Sequence, residues 1–187
     1  SWATKVNFVI EGHLLMQNSL ILIGEGGSGK SWAMKNFLNE QVPRLDTSRI
    51  VRATCFYQKS IWTELQKFLE GPLERKRRGL YGPSFGKKIA FFFDDMSMSH
   101  RDRYGQSGVL ELLRQFKDCG QWFDMETAEL KKVEDIQLLG CITTNPNNPT
   151  KHHLYTRCEQ HFTFFSTFFR EQELREIYTV TLDPFIR

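Results

Sequence analysis

The sequence has no long apolar run, so nothing in it approaches the ~20 consecutive apolar residues of a membrane-spanning helix. Paired cysteines are missing too. The four present, Cys55, Cys119, Cys141 and Cys158, are scattered without a Cys-x-x-Cys pair. That excludes a visible disulfide framework and a paired-ligand zinc knuckle, and free thiols in a reducing compartment are expected. Net charge is small as well: 25 basic against 22 acidic residues provide no global field for nucleic acid or a membrane surface. The chain opens Ser1, Trp2, Ala3 and Thr4 with no initiator Met and no basic-then-apolar leader in view, and the abrupt ends read as an excerpt from a longer polypeptide. Internal repeats and low-complexity segments are lacking. His152, His153, Cys158 and His161 lie close together in sequence. Adjacent histidines seldom turn toward one metal, however, and no second ligand pair completes a set of four, so no metal is expected there.

What is present centres on one stretch. Leu20 to Ile23 is an apolar run, followed by Gly24, Glu25, Gly26, Gly27, Ser28, Gly29, Lys30 and Ser31, and then by Trp32 and a helix-compatible segment. This is the complete phosphate-binding P-loop pattern in its required context, strand before and helix after. The strand fixes where the loop begins. The glycines let the backbone curl and aim its N–H groups at a phosphate, and the helix adds its positive N-terminal end. Lys30 is expected to reach the β- and γ-phosphates and the Ser31 hydroxyl to hold Mg²⁺; Gly24 to Trp32 form the expected nucleotide contact.

Coarse patterning orders the rest. Val6 to Gln17 reads as a short helix beside the loop. Trp32, Met34, Phe37 and Leu38 fall on a helical stripe ending before Pro43, and Ile50 to Phe56 reads as a strand. Ile61, Leu65, Phe68 and Leu69 repeat at helical spacing until Gly71 and Pro72. Leu73 to Lys88 is a basic loop or hairpin insertion, whose Arg75, Lys76, Arg77 and Arg78 suit a solvated face better than nucleic acid, since no aromatic platform interleaves them. Val109, Leu110, Leu112, Leu113 and Phe116 mark an amphipathic helix, and Asp118 to Asp135 a second hairpin insert. Ile136 to Thr143 and His161 to Phe169 are further strands, the latter flanking the P-loop strand. A last helix begins at Glu171, with Leu174, Ile177, Tyr178 and Leu182 on one face.

The apolar strand Ile89 to Phe93 terminates in Asp94 and Asp95. At the carboxyl edge of a parallel sheet this delivers Asp94 to the Mg²⁺ shell beside Ser31. Asp95 stands where hydrolysing relatives usually carry Glu, one methylene longer, and about 1 Å of misplacement of an attacking water costs ~10²-fold in rate. Asn145, after Thr144 at the end of another strand, suits a residue that contacts the γ-phosphate or orients water; Asn before Pro146 is also ordinary turn chemistry, and the strand position favours the former. The expected catalytic pair is therefore Asp95 and Asn145, and the expected metal ligands are Ser31 and Asp94.

Beyond the P-loop, Gly82 and Pro83, Gly86 to Lys88, Asp94 to Met98, Tyr104 and Gly105, Glu111 to Gln115 and Gly120 to Asp124 carry a more specific likeness. From about Leu14 to Leu182 the chain resembles the third AAA+ module of dynein heavy-chain motor rings, the ciliary more than the cytoplasmic ones. The resemblance implies a microtubule-based motor, located in the cytoplasm and cytoskeleton of the cilium or axoneme. It also implies ATP or ADP with Mg²⁺, neighbouring AAA+ modules as contacts, and intermediate and light chains and microtubules reached through other parts of the heavy chain. Neither membrane nor nucleic acid is an expected partner. By position, Lys30 and Ser31 correspond to the Walker A residues, Asp94 to the Walker B aspartate and Asn145 to the first sensor. Ser97 and Ser99 depart from the family's usual Asn and Pro. Gln160 replaces an arginine, so it cannot supply the positive charge of an arginine finger, whereas Arg157 still can. The expected architecture is a three-layer α/β P-loop fold, a parallel sheet between helices. Residues 1–170 form its large subdomain, and residues 171–187 begin a helical lid that is otherwise largely absent. The expected function is a regulatory nucleotide-binding module with slow or absent hydrolysis. The alternatives are an active AAA+ ATPase working on nucleic acid through Arg75 to Arg78, and a scaffold with a vestigial P-loop.

Overall fold

The computed structural model describes residues 2–57, 60–124, 127–144, 154 and 156–186. Helix α1 (Trp2–Leu15) precedes strand β1 (Leu20–Glu25), and after the P-loop comes α2 (Lys30–Asn36). A π-helical turn (Phe37–Gln41) runs on from α2 into α3 (Val42–Leu45), so the helical path passes the point where Pro43 was expected to stop it. Pro43 falls in the first turn of α3, where the missing N–H costs little. Then follow β2 (Arg49–Cys55), α4 (Trp62–Glu70), the hairpin β3 (Glu74–Arg77) and β4 (Leu80–Gly82), and β5 (Lys88–Asp94). The chain continues through a 3₁₀ turn (Met96–Met98), α5 (Gly108–Cys119), β6 (Gln121–Phe123), β7 (Leu130–Val133) and β8 (Ile136–Thr144). The last described elements are α6 (Thr156–Glu159), β9 (Thr163–Ser166) and α7 (Glu171–Ile186).

Five strands form a parallel sheet in the order β2-β5-β8-β1-β9, so that β9 flanks the P-loop strand as expected and β8 lies on its other side. The three inner strands β5, β8 and β1 are largely apolar and buried because both of their faces are covered, whereas the outer β2 and β9 are partly exposed. Alternation then sorts their side chains. Ile21, Phe91 and Phe93 join one core cluster with Leu65, Leu69, Leu110, Leu113 and Phe116 from α4 and α5. Leu20, Leu22, Ala90 and Phe92 join the other, with Val6, Ile10 and Leu14 from α1 and Met34 from α2. The architecture is the expected helix–sheet–helix sandwich.

The two inserts do not remain separate hairpins. They join in a second sheet, β3-β4-β7-β6, through parallel pairing of β4 with β7. Among the described residues no helix is long and apolar enough to cross a membrane.

Candidate phosphate-binding site

β1 and β5 both end at the carboxyl edge of the sheet, one on each side of β8, and the loop after β1 folds over that edge. Gly24 permits a close approach: a Cβ there would lie 2.3 Å from the backbone oxygen of Thr167 and 2.8 Å from Ser28 Oγ. Gly27 and Gly29 hold φ of 82° and 73°, the left-handed region that glycine enters without strain. Gly29 is also the N-cap of α2. The loop with Ile23, Thr144, Thr167, Phe168, Phe169, Leu174 and Tyr178 lines a cavity of about 660 Å³. On the other side of Gly29, Trp2, Trp32, Phe169 and Ile177 line an apolar cavity of about 310 Å³. Trp32 is thus not a core residue: it is 63% exposed and forms a wall of this cavity.

Lys30 is 4% exposed. Its ammonium donates to the Gly24 carbonyl at 2.8 Å, the Glu25 carbonyl at 2.6 Å and Ser28 Oγ at 3.1 Å. Burial lowers its pKa from the usual lysine value. The amine is therefore gathered into the loop itself, and a phosphate oxygen must compete with two carbonyls for it. Ser31 Oγ donates to Asp94 Oδ1 at 2.6 Å, joining the two halves of the site across 63 positions of sequence. Asp94 is 5% exposed, and its other oxygen, Oδ2, accepts from Lys35 Nζ at 2.7 Å. That hydrogen bond is the main reason the Lys35 pKa is raised.

Asp95 takes a left-handed conformation, φ 52° and ψ 48°, at the N-cap of the 3₁₀ turn. Aspartate tolerates this region better than most side chains, including the longer glutamate. Its Oδ1 accepts from Thr143 Oγ1 at 3.1 Å. Thr143 pairs in register with Gly24 across β8 and β1, so this hydroxyl joins the carboxylate to the strand beside the loop. Asn145 lies outside the described residues, as do His152 and His153. Ser97 and Ser99 are buried, and their hydroxyls have no hydrogen-bond partner among the described residues. Arg157 is exposed and lines a separate cavity of about 750 Å³ with His100, Asp102, Tyr104 and Glu111, away from the P-loop lining. Gln160 Nε2 lies 3.3 Å from His161 Nε2. His161 Nε2 in turn sits 2.7 Å from Asp118 Oδ1, while Cys158 is fully buried, which pushes its thiol up to about 12.

The structure therefore brings Gly24, Lys30, Ser31, Asp94 and Asp95 to one edge and leaves Arg157 elsewhere. Two contributors were missed in the sequence, Lys35 and Thr143. Lys35 is an ordinary helix-surface lysine until Asp94 is placed opposite it. Thr143 carried only the weak signal of a hydroxyl near the end of an apolar strand.

A P-loop on β1, a strand-terminal aspartate on the parallel sheet and a helix–sheet–helix sandwich define a P-loop NTPase domain. Residues 3–169 match the family described as the P-loop containing dynein motor region. The chain belongs to that family. It is 32% identical to "Dynein axonemal heavy chain 11" of Sus scrofa over 97% of its own length. It is 34% identical to "Dynein axonemal heavy chain 17" of Homo sapiens over 90%, and 31% identical to "Dynein beta chain, ciliary" of Tripneustes gratilla over 96%. In each case it spans 4% of the relative's length.

Proposed function

We propose that this chain is a regulatory nucleotide-binding module of an axonemal-type dynein heavy chain, holding ATP or ADP with Mg²⁺ and hydrolysing slowly or not at all. The observation that carries the reading is the 2.6 Å hydrogen bond from Ser31 to Asp94, which joins hydroxyl and carboxylate beside a glycine cradle too tight for a Cβ at Gly24. A hydroxyl and a carboxylate are hard oxygen donors of the kind Mg²⁺ takes, usually in company with phosphate oxygens. When bound, Mg²⁺ would neutralise phosphate charge. The loop N–H groups from Gly26 to Ser31 and the buried Lys30 ammonium would hold the phosphates. Trp2, Trp32 and Phe169 offer flat apolar walls to a base.

Weak turnover is supported by Asp95. A short carboxylate held in left-handed backbone and hydrogen-bonded to Thr143 is poorly suited to reach a water in line with a γ-phosphate. Asn145 is proposed as the sensor contacting that phosphate. Residues 1–170 act as the large subdomain and residues 171–187 as the start of a helical lid, in keeping with the exposed Ile177, Leu182 and Phe185 on α7. Neighbouring AAA+ modules, and microtubules reached through other parts of a heavy chain in the cilium or axoneme, follow from the same reading.

The test is phosphate release from ATP by wild-type, Lys30→Ala and Asp95→Glu protein. Wild type is expected near the Lys30→Ala background, with Asp95→Glu raising the rate by about tenfold or more. No gain from Asp95→Glu would show that the short carboxylate is not what limits hydrolysis.

A further inference from the structure

Among the described residues the Asp94 side chain has two partners, and only one of them belongs to the P-loop pattern. Ser31 and Lys35 lie four residues apart on the helical path that follows the loop, so they project from the same face one turn apart. The hydroxyl reaches Oδ1 of Asp94 at 2.6 Å and the ammonium reaches Oδ2 at 2.7 Å. The partners differ in setting: the Asp94 side chain is 8% exposed and that of Lys35 is 51% exposed. The lysine stem therefore brings a cation in from the solvent side to a carboxylate that is otherwise enclosed. The P-loop lysine does not play this part, because Lys30 Nζ is spent on Gly24, Glu25 and Ser28.

The consequence lies in competition between cations. An enclosed carboxylate facing a polyphosphate demands positive charge, and a free divalent ion ordinarily supplies it. Here a tethered monocation already neutralises Asp94, weakening its pull on a second cation, and it adds its own positive field at the same edge. Both effects lessen the advantage that Mg²⁺ gives a bound nucleotide. We propose that Lys35 is a positioning residue that sets the metal dependence of this site, its ammonium on Asp94 standing in part for Mg²⁺. The P-loop then takes a nucleoside diphosphate with little need of the metal. This rests on the nucleotide-binding reading above.

The experiment is fluorescence titration of the purified chain with a mant-labelled ADP, in excess Mg²⁺ and in excess EDTA. Wild type, Lys35→Met, Lys35→Arg and Lys30→Ala are compared, with thermal melting of each variant as the check on folding. The readout is the ratio of Kd without metal to Kd with it. Wild type and Lys35→Arg are expected to show a ratio within about threefold, and Lys35→Met a ratio of about tenfold or more in protein that still melts as a folded chain. A Lys35→Met ratio equal to that of wild type overturns the proposal. So does a wild-type ratio near a hundredfold, which needs no variant to fold. Folded wild type that binds no mant-ADP under either condition, like Lys30→Ala, overturns the nucleotide reading itself and the proposal with it.

Discussion

The two sheets of this molecule are built on opposite principles. In the parallel sheet, Leu20, Ile21, Leu22 and Ile89 to Phe93 are all fully buried, and alternate residues feed two separate cores. In the insert sheet, β3 is exposed along its whole length, and Leu130 and Phe123 face solvent. What holds that second sheet is a few anchors. Trp122 is 1% exposed against Phe116, and Leu80 and Val133 are buried. Around them is a polar cluster on Glu70: Trp122 Nε1 at 2.7 Å, Gln66 Nε2 at 2.8 Å and Lys131 Nζ at 2.9 Å. Lys131 also pairs with Asp124. The sheet that carries the site is secured by apolar area, whereas the sheet beside it depends on a handful of directed bonds.

Truncation in each sheet separates the two modes. Phe92→Ala removes a side chain buried in the core shared with α1 and α2, and should cost about 3–5 kcal/mol in denaturant unfolding. Leu130→Ala in the insert sheet should change stability by no more than about 0.5 kcal/mol. Equal losses at the two positions would mean that the insert sheet is packed as tightly as the main one.

A smaller effect should come from the anchor itself. Burial works against the charge of Lys131, yet hydrogen bonds to Asp124 and Glu70 hold its pKa above the usual lysine value. Glu70→Ala strips the acceptor from Trp122, Gln66 and Lys131 at once. Gln66 keeps the Phe123 carbonyl and Lys131 keeps Asp124, so a loss of roughly 1–3 kcal/mol is expected, mainly the cost of taking Glu70 away from the buried Trp122 indole N–H. Hydrogen exchange sharpens the point: amides of β4, β6 and β7 should lose protection while those of β1, β5 and β8 keep theirs. Uniform loss across both sheets would show that Glu70 supports the whole domain.

The same contrast explains what could be read from the chain in advance. Continuous apolar runs announce buried parallel strands, and β1, β5, β8 and β9 fell where such runs or their flanking signals placed them. Glycine spacing announced the loop, because φ above zero and close approach at Gly24 leave few substitutes. The first insert read as a loop or hairpin from its Gly and Pro content, and the second as a hairpin from the polar stretch around Trp122 to Asp124. Their union through β4 and β7 was not legible, since Leu80 and Lys132 pair across 52 positions with no pattern linking them. The helix beyond Pro43 was hidden because a proline in a new first turn looks like a stop when the π-helical offset before it is unseen. Lys35 was hidden for a related reason: exposed lysines on helices are ordinary, and its meaning comes wholly from Asp94.

A further effect, read through pH, concerns how the edge strand β2 is tied to the main sheet. Asp46 accepts from the Ser48 hydroxyl, from Ser48 N at 3.0 Å and from Arg49 Nε at 3.3 Å. The Ser48 hydroxyl is the main reason its pKa lies below the usual carboxylate value. Arg49 in turn donates to Gln137 Oε1 at 2.6 Å, and Gln137 Nε2 donates to the carbonyls of His13 and Asn18. A polar chain thus runs from the edge strand to the central β8. Because the folded-state pKa is depressed, the carboxylate's contribution is fully present above the unfolded value of about 3.9. It is lost as pH falls through the lower folded value. Asp46→Asn should therefore lower stability by at most about 1 kcal/mol near pH 6, and by progressively less as pH drops below about 4, until variant and wild type converge. Denaturant midpoints for both proteins across that range check it. A difference that stayed constant with pH would mean that the aspartate acts here through its shape, as a turn former, and that its charge adds nothing to the tie between edge and centre.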